Sequence, residues 1–228
     1  MAKVGELLRE PEVGWERYDD TDKNISYLGL WKNSSALDEY YLKTYHYTDD
    51  EDGSINFNFK GSKIRIISAY FSNQSDNIII IIDGEKYKYS CYDSELKRQI
   101  LVFEKNDLTY GEHSVIIQNM ATNKNGIILD SIDIDENGQL KQYNPYRFII
   151  KQHLNYYSVK SNFYYDGSFQ PLVLNGEIAP NDSDFINSGF TDLALLTENI
   201  NMREEIFKPK DKLKLINDGK FDILMKEI

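Results

Sequence analysis

In "SINFNF", residues 54 to 59, apolar and polar side chains alternate: Ile55, Phe57 and Phe59 fall on one face of an extended chain, Asn56 and Asn58 on the other. The same short β-prone runs recur from about Trp15 to Asp135. They predict strands over Tyr40–Tyr47, Ser54–Phe59, Lys63–Tyr70, Asn77–Ile82, Lys86–Tyr92, Gln99–Glu104, Glu112–Asn119 and Ile127–Asp135. Turn chemistry separates them at Asp52-Gly53, Gly61, Asp83-Gly84, Tyr110-Gly111 and Asn125-Gly126. Short strands at such spacing predict an all-β sandwich of jelly-roll type.

One run breaks the alternation. Ile78 to Ile82 are consecutive isoleucines between Asp76 and Asp83. A bilayer span needs about 20 apolar residues, so this is an interior strand, and an unbroken β-branched run predicts burial on both faces. Asp83-Gly84 then turns the chain into an antiparallel return over Lys86 to Tyr92. Counting from that turn puts Cys91 on the face of Tyr87 and Tyr89, as a buried, inert thiol.

After Asp135 the pattern changes. "DENGQLKQYNPYR" loses apolar density and holds Pro145, which predicts a first domain over 1–136, a linker over 137–146 and a small α+β docking module over 147–228. In that module "FIIKQHLNYYSVK" and "NFYYDGSFQPLVL" read as hairpins, the second broken at Asp166-Gly167. Residues 181 to 200 read as two short helices parted by Gly189, with Ser183 and Thr191 as N-caps. Phe221, Ile223 and Met225 alternate, predicting a final strand.

Composition narrows the function. Against 26 Lys and Arg the chain carries 37 Asp and Glu, a net charge of −11, and that field repels a phosphate backbone, excluding nucleic acid as the expected partner. No membrane partner is expected either. Cys91 is the single cysteine, so no intrachain disulfide and no cysteine-based metal pattern can form. "MAKVGELLREPEVGW" has no apolar core of a secretory signal, so synthesis in the cytoplasm is expected.

Two acidic stretches raise calcium as a structural cofactor. "DTDKN", with Asp20, Asp22 and Asn24, and "DIDENG", with Asp133, Asp135 and Asn137, begin as an EF-hand loop does. Neither finishes as one, because the twelfth positions are Trp31 and Asn144 where a bidentate Glu belongs. His46, His113 and His153 are scattered, and no nucleophile elbow, P-loop or dinucleotide fingerprint occurs. No catalytic set is recognisable in the sequence, and the expected protein is not an enzyme. The aromatic excess, 17 Tyr among it, fits adhesive faces, since sugar rings stack their C–H faces on aromatic side chains. Trp15, Tyr18, Trp31, Tyr45, Tyr47 and Tyr92 are the candidate ligand-binding residues.

Taken in order, "ISYLGLW", "YYLKTYHYTDDEDGSINFNFKGSKIRII", "NIIIIIDGEKY", "LVFEKNDLTYGEHSVII" and "ILDSIDID" resemble the galactose-binding-like jelly-roll modules, close to carbohydrate-binding modules of bacterial surface proteins. Trp31, His46, Gly61, Asp83-Gly84, Leu108, Gly111, His113 and Asp130 match that layout over residues 25 to 135. Ile67 departs from it, standing where the family often has an aromatic. A narrower resemblance joins "GWERYDDTDKNISYLGLW", "FIIKQHLNYYSVKSNFY" and "NDSDFINSGFTDLALLT" to tail and fibre proteins of bacteriophages of Gram-positive hosts. These resemblances imply a non-enzymatic virion accessory of tail, baseplate or capsid, with an adhesive, host-glycan-binding jelly roll. Its implied partners are other virion proteins and host cell-surface glycans, in a homo-oligomer or symmetric array. The alternative is a free-standing carbohydrate-binding module that targets bacterial cell-wall glycans, and a third reading is a glycosidase or esterase.

Overall fold

The computed structural model describes residues 1–35, 38–121, 126–152, 155–158, 172–174, 178–189 and 222–227. The chain divides into two compact units, Met1–Asn144 and Pro145–Ile228.

The first unit is mainly β. Its strands are β1 (Trp15–Asp19), β2 (Ser26–Leu28), β3 (Lys32–Ser35), β4 (Thr44–Thr48), β5 (Ser54–Gly61), β6 (Ile64–Tyr70), β7 (Ile78–Ile82), β8 (Glu85–Tyr89), β9 (Lys97–Lys105), β10 (Gly111–Asn119), β11 (Ile127–Leu129), β12 (Ser131–Asp135) and β13 (Gln139–Lys141). They form a sheet in the order β1-β12-β6-β9, a second in the order β13-β5-β10-β7-β8 with β2 also on β5, and a small third, β11-β4-β3. All strand pairings are antiparallel. The first two sheets meet face to face. Ile64, Ile66, Ile132, Ile134, Ile100 and Val102 on one side share a single core with Ile55, Phe57, Phe59, Ile78, Ile80, Ile82, Val115 and Ile117 on the other.

The isoleucine run lies inside the second sheet, between β10 and β8. Ile78, Ile80 and Ile82 point into the core. Ile79 and Ile81 are only half-buried, which corrects the expectation of burial on both faces. Lys88 and Lys86 stand opposite them in register, and such stems cover apolar surface while their ammonium groups stay wet. Asp83 and Gly84 both take positive φ, 51° and 83°, as a two-residue hairpin turn requires. Cys91 is buried, and burial pushes its thiol up to about 12.

Three expectations change in the structure. Tyr40 to Lys43 do not belong to β4; Tyr41–Lys43 form a single 3-10 turn. Ile127–Asp135 is two strands, because at Asp130 the chain leaves β4 and joins the β1/β6 sheet, with Asp130 N–H donating to Ile67 O and Asp130 O accepting from Asp20 N–H. The span 137–146 holds β13, paired to β5 through Gln139–Lys60, Leu140–Phe59 and Lys141–Asn58. Leu140 is in the core, and Asn144 exchanges hydrogen bonds with Asn58.

The second unit contains β14 (Tyr146–Gln152), β15 (Asn155–Ser158), β16 (Leu172–Leu174), α1 (Asp182–Ser188) and β17 (Asp222–Glu227). The sheet order is β16-β15-β14-β17, so the first hairpin and the final strand are present. Ile149, Tyr156 and Phe185 form a small core with Leu224 against it. Asn181, not Ser183, caps α1. Its side chain accepts from Asp184 N–H while the Asp184 carboxylate accepts from Asn181 N–H, a reciprocal arrangement that Ser183, already inside the helix, cannot make. Asp166-Gly167, Thr191, His153 and Phe221 lie outside the described residues.

Two predictions follow from this packing. Ile80→Asp should unfold the first unit, because an unpaired carboxylate in the core costs at least several kcal/mol; a soluble variant with an unchanged denaturant midpoint would refute the interior placement of β7. We also propose that the first unit folds alone when β13 is kept. A fragment of residues 1–144 should unfold in one cooperative transition, and a fragment lacking β13 should be markedly less stable; equal midpoints for the two would refute the role given to β13.

Candidate functional site

Arg17 on β1 organises one end of the first unit. Its guanidinium is buried and makes a two-point ion pair with Asp133 of β12, at 2.6 and 2.9 Å. Its Nη1 also donates to the carbonyls of Leu8 and Arg9, at 3.0 and 2.8 Å. The N-terminal segment is thereby fixed beside β9, where Leu8 N–H donates to Gln99 O and Gly5 N–H to Leu101 O. On the other side the guanidinium carbon lies 5.3 Å from the ring centre of Tyr41. One cation thus touches both the N-terminal segment and the turn that carries Tyr41.

Between those segments lies a cleft of about 880 Å³, walled by Gly5–Glu10, by residues 38–43 and by the start of β9 at residues 97–100. Tyr40 and Tyr41 stand in its wall, Tyr41 half-buried and Tyr40 buried. The charged groups around it are mutually engaged: Lys43 with Asp38 at 2.6 Å, Lys97 with Asp93 at 2.6 Å, and Arg98 with Glu39 at 3.9 Å. Arg98 also sits 5.6 Å from the Tyr40 ring, and burial pushes the Tyr40 hydroxyl up to about 12.

The walls are strained. Of the described non-glycine residues with positive φ, three line this cleft: Leu42 at 45°, Lys43 at 69° and Gln99 at 55°. Each costs about 1–3 kcal/mol and persists only where surrounding contacts impose it. For Gln99 the cause is a register shift in the β6–β9 pair between Ser68 and Tyr70, which bends the strand. For Leu42 and Lys43 it is the tether of Tyr41, whose N–H donates to Asp130 Oδ1 at 2.9 Å.

Asp130 is fully buried, and among the described residues its Oδ2 has no hydrogen-bond partner. Burial raises its carboxyl to about 7, with Asp20 and Asp19 adding repulsion and the Tyr41 N–H and Arg17 opposing. Asp20 is raised by burial too, although it accepts from Thr44 Oγ1 at 2.7 Å and lies 2.5 Å from His46 Nδ1. His46 stacks on Tyr27 at 4.1 Å, and Trp31 leans on Tyr27 at 4.9 Å.

Of the sequence-chosen aromatics, Tyr45 and Tyr47 come together on the outer face of β4, 5.6 Å apart, with Tyr45 stacked at 4.2 Å on Tyr40 of the cleft. The others do not join them. Trp15 is buried beneath Lys63 and Arg65, whose cationic groups lie 4.2 and 4.0 Å from its ring. Tyr18 is half-buried against the core, Trp31 donates its indole N–H to Leu28 O, and Tyr92 is exposed beyond β8. The calcium candidates are engaged by protein donors. Asp133 serves Arg17, Asp135 accepts from Ser62 N–H, Ser62 Oγ and Lys63 N–H, Asp22 accepts from Asn24 N–H, and Asp20 serves Thr44 and His46. Among the described residues no three His, Cys, Asp or Glu side chains are grouped to hold a metal. The sequence reading missed Tyr40, Tyr41, Leu42 and Arg98; the adjacent tyrosines at 40 and 41, which break the alternation of β4, were the one visible signal.

No family model matches the chain. Among curated proteins it is similar to the A type blood N-acetyl-alpha-D-galactosamine deacetylase of Flavonifractor plautii, 29% identical over 108 residues, covering 47% of this chain and 14% of that protein. It is also similar to the A type blood alpha-D-galactosamine galactosaminidase of the same organism, 28% identical over 110 residues, covering 47% of this chain and 10% of that protein. The chain therefore spans a small part of either relative. Among solved structures it resembles a family two carbohydrate esterase from Cellvibrio japonicus, with TM-score 0.41, 16% identity and coverage of 57% and 36%. It also resembles the catalytic domain of a GH87 alpha-1,3-glucanase, with TM-score 0.40, 12% identity and coverage of 59% and 29%. At these scores the structural likeness carries neither fold nor function. The curated relatives correct one expectation. Both are named as carbohydrate-modifying enzymes, so the expectation of a non-enzymatic protein is overturned, and neither is named as a virion protein.

The buried Asp130 carboxyl predicts a pH dependence. Because its folded pKa is raised above the ordinary value of 3.8 to about 7, the folded state holds a proton that the unfolded state has lost between those values. Stability from this group is complete below pH 4 and is lost as pH rises through 7. Asp130→Asn keeps an acceptor for Tyr41 N–H and cannot ionise. Its melting temperature should gain on the wild type steadily from pH 4 to pH 8; parallel curves would show that Asp130 does not titrate in this range.

Proposed function

We propose that the first unit binds glycans in the cleft between residues 5–10, 38–43 and 97–100, in the service of carbohydrate-modifying chemistry. The carrying observation is the cleft itself. It is open, within the range of about 300–1,000 Å³ typical of ligand sites, has two tyrosines in its wall, and is built on backbone that the fold keeps strained. Sugar rings offer C–H faces to such aromatics, while hydroxyls exchange hydrogen bonds with carboxylate, guanidinium and ammonium groups. Asp38, Glu39, Lys43, Lys97 and Arg98 supply both kinds of partner. The names of the curated relatives support this class and make galactosamine-type sugars the first ligands to test.

A place on a phage particle, in tail, baseplate or capsid, is a second reading that rests on the sequence resemblance alone. Mass spectrometry of purified particles from the source strain decides it: copies of the chain per virion support it, and their absence removes it.

For the glycan reading, isothermal titration of the full chain with N-acetylgalactosamine and A-type oligosaccharides should give saturable binding. Tyr41→Ala should weaken it by several-fold to about tenfold, the scale of one aromatic contact, with little change in melting temperature. No binding of any of these sugars, or equal affinity in the Tyr41→Ala variant, would refute the cleft as their site.

A further inference from the structure

Beside the cleft, Tyr40 continues into a row of aromatic side chains. Tyr45 stacks on Tyr40 at 4.2 Å with the planes 24° apart, and Tyr47 follows at 5.6 Å. Register fixes this row. Along β4, Tyr45 and Tyr47 share one face, while His46 between them turns inward to Asp20 and Tyr27. Opposite Tyr47 stand Lys32 on β3 and Ile128 on β11, and opposite Tyr45 stands Ser34. All of these but Lys32, which is exposed, are half-buried. Lys32 Nζ lies 5.7 Å from the Tyr47 ring at one end, and Arg98 lies 5.6 Å from the Tyr40 ring at the other. Tyr40 itself is buried beneath Tyr45, so the accessible row is Tyr45 and Tyr47 along β4, beginning beside the cleft, with Arg98 near one end and Lys32 near the other.

We propose that this row is a set of outer subsites for an oligosaccharide, whose terminal sugar occupies the cleft and whose following sugars lie over Tyr45 and Tyr47. The inference rests on the glycan reading of the cleft. A monosaccharide needs only the cleft, whereas aromatic rings at successive positions along a strand match successive rings of a sugar chain and nothing smaller. Ser34 and Lys32 border the row with the donors that chain hydroxyls require. Tyr45 is tied to the cleft wall through Tyr40, which it covers, whereas Tyr47 stands one step further along β4 and so separates the two roles.

The test is titration calorimetry of the full chain with N-acetylgalactosamine, the A-type trisaccharide and an A-type hexasaccharide, for wild type, Tyr47→Ala and Tyr47→Phe. The wild type should bind the hexasaccharide at least tenfold more tightly than the monosaccharide. Tyr47→Ala should lose most of that gain while binding the monosaccharide as before, and Tyr47→Phe, which keeps the ring, should behave as wild type. Equal affinity for short and long sugars, or a Tyr47→Ala loss that is the same for both, overturns the outer subsites and leaves the cleft standing. Failure of every sugar to bind overturns the cleft reading and the outer subsites with it. Melting temperatures of both variants distinguish a lost contact from a damaged fold.

Discussion

The candidate site depends on one buried guanidinium. Arg17 would be a poor choice if stability were all that mattered, since removing a charge from water costs several kcal/mol that its partner scarcely returns. What it provides is geometry. Its planar fork fits the Asp133 carboxylate at two points, and the remaining donors reach Leu8 O and Arg9 O. Tyr41 lies against its flat side. An apolar replacement could fill the volume but could not tell the N-terminal segment where to stop along β9. Both walls of the cleft take their positions from that set of contacts.

The acidic stretch "LDSIDID" divides its carboxylates among three structural tasks. Asp130 tethers the Tyr41 N–H, Asp133 neutralises Arg17, and Asp135 collects the N–H groups of Ser62 and Lys63 together with the Ser62 hydroxyl, closing the turn between β5 and β6. Asp133 and Asp135, at alternate positions of a strand, share a face, which is why the sequence invites a calcium reading. In space each faces a different donor, Asp133 the Arg17 guanidinium and Asp135 the neutral N–H and hydroxyl groups of the turn. Asp130 alone keeps an oxygen without a partner among the described residues, and that is the carboxyl whose proton is hardest to lose.

How much was legible in the sequence follows from what carries a period. The strands of the sandwich core announced themselves because their apolar side chains fall on the core face: Ile55, Phe57 and Phe59 alternate with polar residues, even though Asn56 and Asn58 on the other face of β5 are buried too. β1, β2 and β3 are short and polar on much of their length, so they left no such trace. β13 was hidden in a segment whose single core residue is Leu140. The cleft was the least legible part. Its strained positions are Leu42, Lys43 and Gln99, none of them a residue type that favours positive φ, so the local sequence contradicts the conformation and only the long-range contacts to Asp130, Leu8 and Ser68 explain it. Tyr45 and Tyr47 stand at alternate positions of β4, so their shared face could be read from the sequence. Trp15 was misplaced because exposure of a tryptophan cannot be read from its neighbours in sequence, and here Lys63 and Arg65 close over it.

Where the local preference of a chain and its final conformation disagree, the disagreement has to be held by something, and the holder determines what can disturb it. Around the cleft the holders are polar: the ion pair of Arg17 with Asp133 on one side, the hydrogen bond of Tyr41 N–H to Asp130 on the other. The β-sandwich behind them is held by apolar contact, which neither protons nor salt greatly alter. The two layers therefore respond to different conditions. A rise in pH that ionises Asp130 acts on the turn carrying Tyr40 and Tyr41 while the isoleucine core stays as it is, so a change in the cleft need not pass through loss of the fold. The same separation explains how a rigid scaffold can carry a strained rim: the strain is confined to a turn and a bulge whose neighbours in the sheets retain ordinary strand geometry.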